Sequence, residues 1–228
     1  MAATVDLDAY FQRIHWAGGR DPTLETLAGL IEAHTAHIPF ENLDVLLGRT
    51  LRLDLEGLQD KIVGACRGGY CFEHASLFAA VLEALGFQVA RHAARVVLFG
   101  PLAEAMRGHM FMTVVVGDAT YVVDPGFGPF APRFPVLLVD SSPGQTTHWM
   151  QRDGNFWVLH VTREDRQPVG RLGIHVGSGE PFGLRSVQPL HGHSPEIPVR
   201  ELDLPERGHA RGAGQCHEPQ SDAASRGY

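Results

Sequence analysis

Three cysteines, Cys66, Cys71 and Cys216, are too few to staple a small secreted domain. Their odd number points to free thiols and a reducing, cytoplasmic setting. No stretch approaches the roughly 18 uncharged apolar residues of a membrane span, so no membrane partner is expected. The start, Met1-Ala-Ala-Thr-Val-Asp-Leu-Asp, has acids where a signal peptide needs a basic segment and an apolar run. Basic surface is missing as well: the net charge is -7, the pI is near 6.0, and no Lys/Arg cluster is dense enough to reverse the balance. A nucleic-acid partner is thereby excluded. The chain has no internal repeat. What it does have is 228 residues, 44% of them apolar, enough to bury the core of one large domain or two small ones.

The first half reads as helical. Asp21-Pro22 resembles an N-cap followed by proline at the first helical position, and Leu24, Leu27, Leu30, Ile31 and His34 then recur at helical spacing until Pro39. Leu55, Leu58 and Ile62 mark a shorter helix that breaks at Gly68-Gly69. A stronger helix begins at Cys71, with Phe78, Val81, Leu82 and Leu85 as its buried stripe and Gly86 as its cap. The character then changes to strands at 93–99, 110–116, 120–124, 136–139 and 156–161. Gly117-Asp118 suits a two-residue hairpin turn. The expected class is α+β, with a helical domain over 1–86, a strand domain over 87–168 and a divergent segment over 169–228.

The chemistry concentrates at Arg67-Gly68-Gly69-Tyr70-Cys71-Phe72-Glu73. Two glycines let the backbone turn sharply and deliver Cys71 to a helix start, where unpaired N–H groups and the helix dipole favour thiolate. A buried structural cysteine fits the same local sequence. If Gly117-Asp118 is the turn, Val116 pairs with Ala119, Asp124 falls opposite Phe111, and His109 lies two places along the same face. That diagonal is within reach of an imidazole and a carboxylate, whereas a slip of one residue would separate them. A thiol, an imidazole and a carboxylate together point to nucleophilic acyl transfer. A metal site at Cys66 and Cys71 would need more ligands than His74 alone, so none is expected.

Four motifs, Pro39-Phe-Glu-Asn-Leu-Asp44, Arg67-Gly-Gly-Tyr-Cys-Phe-Glu73, Gly108-His-Met-Phe-Met112 and Val123-Asp-Pro-Gly-Phe-Gly128, resemble those of the arylamine N-acetyltransferases in order and approximate spacing. The resemblance covers about residues 5–165. It implies a helical bundle followed by an antiparallel β-barrel and a triad of Cys71, His109 and Asp124, arranged as in cysteine proteases. It also implies ping-pong acetylation of arylamines, hydrazines or arylhydroxylamines, with acetyl-CoA as donor and no tightly bound cofactor. Phe40, Val96, Phe127 and Phe130 match the acceptor pocket. Gly126, Phe127 and Gly128 match a turn that approaches the oxyanion or the CoA pyrophosphate. Glu41 and Arg67 match a buried ion pair. Ala75 stands where the family usually has Asn. Two other readings stay open: another thiol acyl-transfer enzyme or hydrolase with the same triad, and a truncated relic that is inactive or only binds acyl-CoA.

After about Pro168 the resemblance stops. Gly, Pro, His and Arg scatter through His191-Gly-His-Ser-Pro195 and Arg207-Gly-His-Ala-Arg-Gly212 with no apolar period. The abruptness of the change suggests a slipped reading frame near 166–172, with an unrelated tail replacing the family's third domain. Cys216 within it is incidental.

Overall fold

The computed structural model describes residues 4–97, 108–142, 144, 146–153, 156–162 and 168–174, all within the first of two units, Met1–Pro181. The anticipated tail thus lies outside the described residues except for 169–174, and Cys216 lies outside them entirely.

Helix α1 spans Leu7–Arg13, with Asp6 capping the Ala9 N–H. Hydropathy alone does not mark so short a helix. Its Tyr10, Phe11 and Arg13 are nonetheless buried. The Arg13 guanidinium bonds the carbonyls of His37, Ile62, Cys66 and Arg67, and so binds three later segments together. Helix α2 spans Leu24–His37 and is capped by Thr23, whose side chain accepts from the Thr26 N–H, rather than by Asp21. Helix α3 is Leu43–Leu46 and α4 is Leu55–Leu58, which runs into a π-helical turn at Gln59–Gly64. Helix α5, Cys71–Ala84, buries Phe78, Val81 and Leu82 as the spacing predicts, and packs on the first two strands.

The strands are β1 Gln88–Val97, β2 His109–Val116, β3 Ala119–Val123, β4 Val136–Leu137, β5 His148–Asp153, β6 Phe156–Thr162 and β7 Pro168–Ile174. They form one antiparallel sheet in the order β4-β3-β2-β1-β7-β6-β5. This corrects the expected barrel: among the described residues no ladder closes β4 onto β5. β4 contributes only two residues, and the segment after it reaches β5 through isolated bonds, Ser141 N–H to Met150 O and Arg152 N–H to Asp140 Oδ1.

β5 and β7 were not anticipated. Four of the six residues of β5 are polar, and β7 carries a proline and two glycines, residues that mark breaks in a strand pattern. β7 is held instead by ladders on both sides, to β1 and β6. Ala94, Phe111, Val122, Val136, Met150 and Leu159 form the core of the sheet. No described helix is long and apolar enough to cross a membrane.

Candidate active site

Two glycines build the start of α5. A Cβ on Gly68 would lie 1.9 Å from the Pro39 carbonyl oxygen, so only glycine lets these backbones run side by side. Glu41 N–H bonds Gly69 O at 2.9 Å and Gly69 N–H bonds Pro39 O at 3.3 Å, completing a parallel bridge between Phe40 and Gly69. Glu73 reaches back to the Tyr70 N–H at 3.0 Å. Cys71 is therefore delivered to the first turn of α5, and its side chain is 8% exposed.

The β2–β3 hairpin has the anticipated register, Val116 opposite Ala119 through Met112 opposite Val123. Asp124 follows directly. His109 Nε2–H donates to Asp124 Oδ2 at 2.7 Å, with both residues buried. The Cys71 Sγ lies 3.8 Å from the carbonyl oxygen of Gly108, the residue before His109, and its side chain acts on the same imidazole electrostatically. Burial opposes a charge on His109, but the charge and hydrogen bond of Asp124, reinforced by Cys71, outweigh it and raise the imidazole pKa to about 10. Such a ring keeps its proton at neutral pH and can balance a thiolate.

Gly126 plays a different part from the one anticipated. Its N–H donates to Asp124 Oδ1 at 3.1 Å, so this amide is committed to the carboxylate rather than free for an oxyanion. A Cβ there would meet Cys71 Cα at 2.8 Å and Cys71 O at 3.0 Å. Gly126→Ala should therefore push the turn off α5, lowering stability by about 1–3 kcal/mol and slowing alkylation of Cys71 by iodoacetamide. Paired urea melts and alkylation rates check both effects.

The aromatic residues divide. Phe127 lies 5.0 Å from the His109 ring and 6.0 Å from Phe130, centroid to centroid. Phe40 is 46% exposed and faces Gly128, whose added Cβ would sit 3.6 Å from the Phe40 ring. Val96 packs against the sheet core instead, a bland role that its alternating strand position explains.

The Arg67–Glu41 pair is present at 2.6 Å, but it belongs to a larger cluster. Lys61, which pattern reading missed, bonds Asp44 at 2.9 Å and Glu73 at 2.8 Å, and Arg67 also bonds Asp44. These groups come from separate segments, so no local spacing announces them. Burial works to raise the Asp44 carboxyl, yet hydrogen bonds from Lys61 and Arg67 and their charges bring it down to about 2. A depressed carboxyl stabilises the fold above its unfolded value near 4, and that contribution is lost as pH falls through about 2. Lys61→Met should cost about 3 kcal/mol at neutral pH and make stability less dependent on pH between 4 and 2, as read by thermal unfolding.

A cavity of about 350 Å³ sits over this cluster, lined among others by Thr50, Arg52 and Lys61, and none of the three residues Cys71, His109 and Asp124 lines it. Among the described residues, no group of three or more His, Cys, Asp or Glu could hold a metal. Cys71 is a buried free thiol.

A helix-start thiol against a paired imidazole and carboxylate, on a helical layer packed over an antiparallel sheet, accords with the class whose profile is described as N-acetyltransferase and matches residues 23–169. The Escherichia coli K12 arylamine N-acetyltransferase is 41% identical over 156 residues, 67% of this chain and 56% of its own. The M. tuberculosis arylamine N-acetyltransferase structure superposes with a TM-score of 0.71 at 36% identity, covering 77% of this chain and 68% of that one. The Mycobacterium marinum enzyme in complex with CoA gives 0.70 at 35%, covering 77% and 67%. The chain belongs to the arylamine N-acetyltransferase family. It spans little more than half the length of the curated relatives it matches.

Proposed function

We propose that the chain transfers acetyl groups from acetyl-CoA to arylamines, hydrazines or arylhydroxylamines by a ping-pong route through Cys71. The observation that carries this reading is the 2.7 Å bond from His109 to Asp124, with the Cys71 side chain acting on the same ring. The Cys71 thiolate attacks the thioester carbonyl, the C–S bond to CoA breaks, and the His109 imidazolium protonates the departing CoA sulfur. The arylamine nitrogen then attacks the acetyl-cysteine. His109, now neutral, takes the amine proton, and Cys71 leaves as thiolate beside the restored imidazolium. With the Gly126 amide committed to Asp124, the first-turn amides of α5 are the donors for the tetrahedral oxyanion. Phe127, Phe130 and Phe40 provide aromatic surface for the acceptor, and the relative crystallised with CoA supports CoA as carrier.

Soluble, cytoplasmic operation accords with this chemistry. The test is incubation with acetyl-CoA and an arylamine, and in parallel with a peptide substrate. Acetylated arylamine with intact peptide supports the reading. Peptide cleavage favours a thiol hydrolase, and neither product favours a relic. The frame-slip account predicts a family-like third domain in a neighbouring frame of the gene after residues 166–172, and translation of those frames tests it.

A further inference from the structure

A row of buried polar groups runs from α1 to the Phe40 segment and takes no part in the acetyl-transfer steps. Tyr10 Oη lies 2.7 Å from His34 Nδ1, His34 Nε2 lies 2.8 Å from His74 Nδ1, and His74 Nε2 lies 3.3 Å from the Pro39 carbonyl. The Gly69 carbonyl also acts on His74, favouring its charged form. Tyr10 and His34 are fully buried and His74 is 1% exposed, so water does not complete their bonding.

One proton arrangement with neutral rings satisfies every contact. A carbonyl only accepts, so His74 Nε2 carries the hydrogen, and a neutral ring then leaves Nδ1 as acceptor. His34 must therefore donate from Nε2 and accept at Nδ1, and Tyr10 O–H must donate to it. Neutrality accords with the surroundings. Burial, assisted by Lys61, holds His74 down at about 4 against the pull of the two carbonyls and Asp124. His34 is held well below its ordinary value by burial, with His74 and Arg13 adding to the effect.

We infer that Tyr10, His34 and His74 form a one-way hydrogen-bond relay that staples the Pro39–Phe40 segment to the Gly69 loop, making His74 a positioning residue for the aromatic acceptor. The inference rests on the acetyl-transfer reading above. His74 lies three residues after Cys71 on α5, so the staple and the nucleophile ride on one rigid element. The Phe40 ring stacks on His74 with centroids 6.3 Å apart and planes 11° apart. The angle and height of Phe40 over the site thus follow from where His74 holds the Pro39 carbonyl.

The test separates the two half-reactions. His74→Leu fills the space but removes both donor and acceptor, whereas His74→Gln keeps an N–H at the Nε2 position and an oxygen for His34. The leucine variant should lower kcat/KM for the arylamine about tenfold while leaving kcat/KM for acetyl-CoA within about twofold, and glutamine should restore most of the loss. Tyr10→Phe should give a smaller fall in the same parameter. Imidazole ¹⁵N spectra of the wild type should show both rings neutral with hydrogen on Nε2.

Equal loss in both half-reactions, an unchanged arylamine parameter in both His74→Leu and Tyr10→Phe, or hydrogen on Nδ1 of either ring would overturn the inference. Should the leucine variant not fold, Tyr10→Phe and His74→Gln carry the kinetic comparison. A wild-type protein that never acquires an acetyl group removes the acetyl-transfer reading, and the ¹⁵N spectra then decide the relay by themselves.

Discussion

Cys71→Ala gains no acetyl group on mixing with acetyl-CoA, and its acetyl-transfer rate falls by at least about 10³-fold; that is the outcome expected if Cys71 carries the covalent step. Acetyl transfer by a double displacement needs an atom to hold the acetyl group between donor and acceptor, and the proposed atom is Cys71 Sγ, whose side chain raises the His109 pKa together with Asp124. Alanine leaves His109 and Asp124 in place but removes the atom. Fold loss is not the reason for the expected inactivity, because the deleted sulfur occupies little volume at a helix start and its removal should cost about 1–2 kcal/mol at most. Intact mass after incubation with acetyl-CoA reads the adduct, and a thermal melt of the same sample establishes that the variant is folded. Acetylation that persists in folded Cys71→Ala would end the assignment of the nucleophile.

Asp124→Asn is the second large effect. Asp124 is fully buried and uses its two oxygens for different donors, His109 Nε2–H and Gly126 N–H. Asparagine has one oxygen and an NH₂ group, so one of those donors must face another donor. Either the histidine loses its tautomer or the Gly126 turn shifts, and the negative charge is lost in both cases. The expected fall in kcat/KM is about 10³–10⁴-fold, the range for a histidine left in the wrong tautomer.

The pH dependence has a definite sign. In the wild type His109 is raised from its ordinary value near 6.5 to about 10, because Asp124 and Cys71 overcome the effect of burial. A raised imidazole adds stability that is complete below about pH 6.5 and fades as pH climbs through about 10. The stability gap between wild type and Asp124→Asn should accordingly be larger at pH 6 than at pH 9. Denaturant melts at both pH values check this, and a gap that widens with pH, or an activity loss below tenfold, would contradict the role given to the carboxylate.

Some of the site was legible because its geometry is local. A two-residue turn at Gly117-Asp118 sets the pairing of Val116 with Ala119, and the pleat then places His109 and Asp124 on one face. Glycines before Cys71 marked the sharp entry to α5, and the four motifs together indicated the family. Other parts were not legible. The Lys61 network draws on the turn at Gln59–Gly64, the start of α5 and the Glu41–Asp44 segment, which meet only after folding. On sequence grounds the Gly126 turn suits a substrate oxyanion or the CoA pyrophosphate, and only the folded geometry shows its amide bonded to Asp124. β7 reads as irregular from Pro168, Gly170 and Gly173, because a strand laddered on both sides is held by backbone bonds that side-chain pattern does not report.

What the sequence by itself determined is the succession from helices to strands, the α+β class, the family, and the register that brings a histidine to an aspartate. These depend on periodicity, turn chemistry and short spacings. Tertiary structure alone decided that the described strands form an open sheet, that one cation at Lys61 joins three carboxylates, and that Tyr10, His34 and His74 share a single chain of bonds. It also decided how protons are held on those groups. The physical reason is that a pKa and a hydrogen-bond direction depend on burial and on partners tens of residues away, and neither is present until the chain has packed.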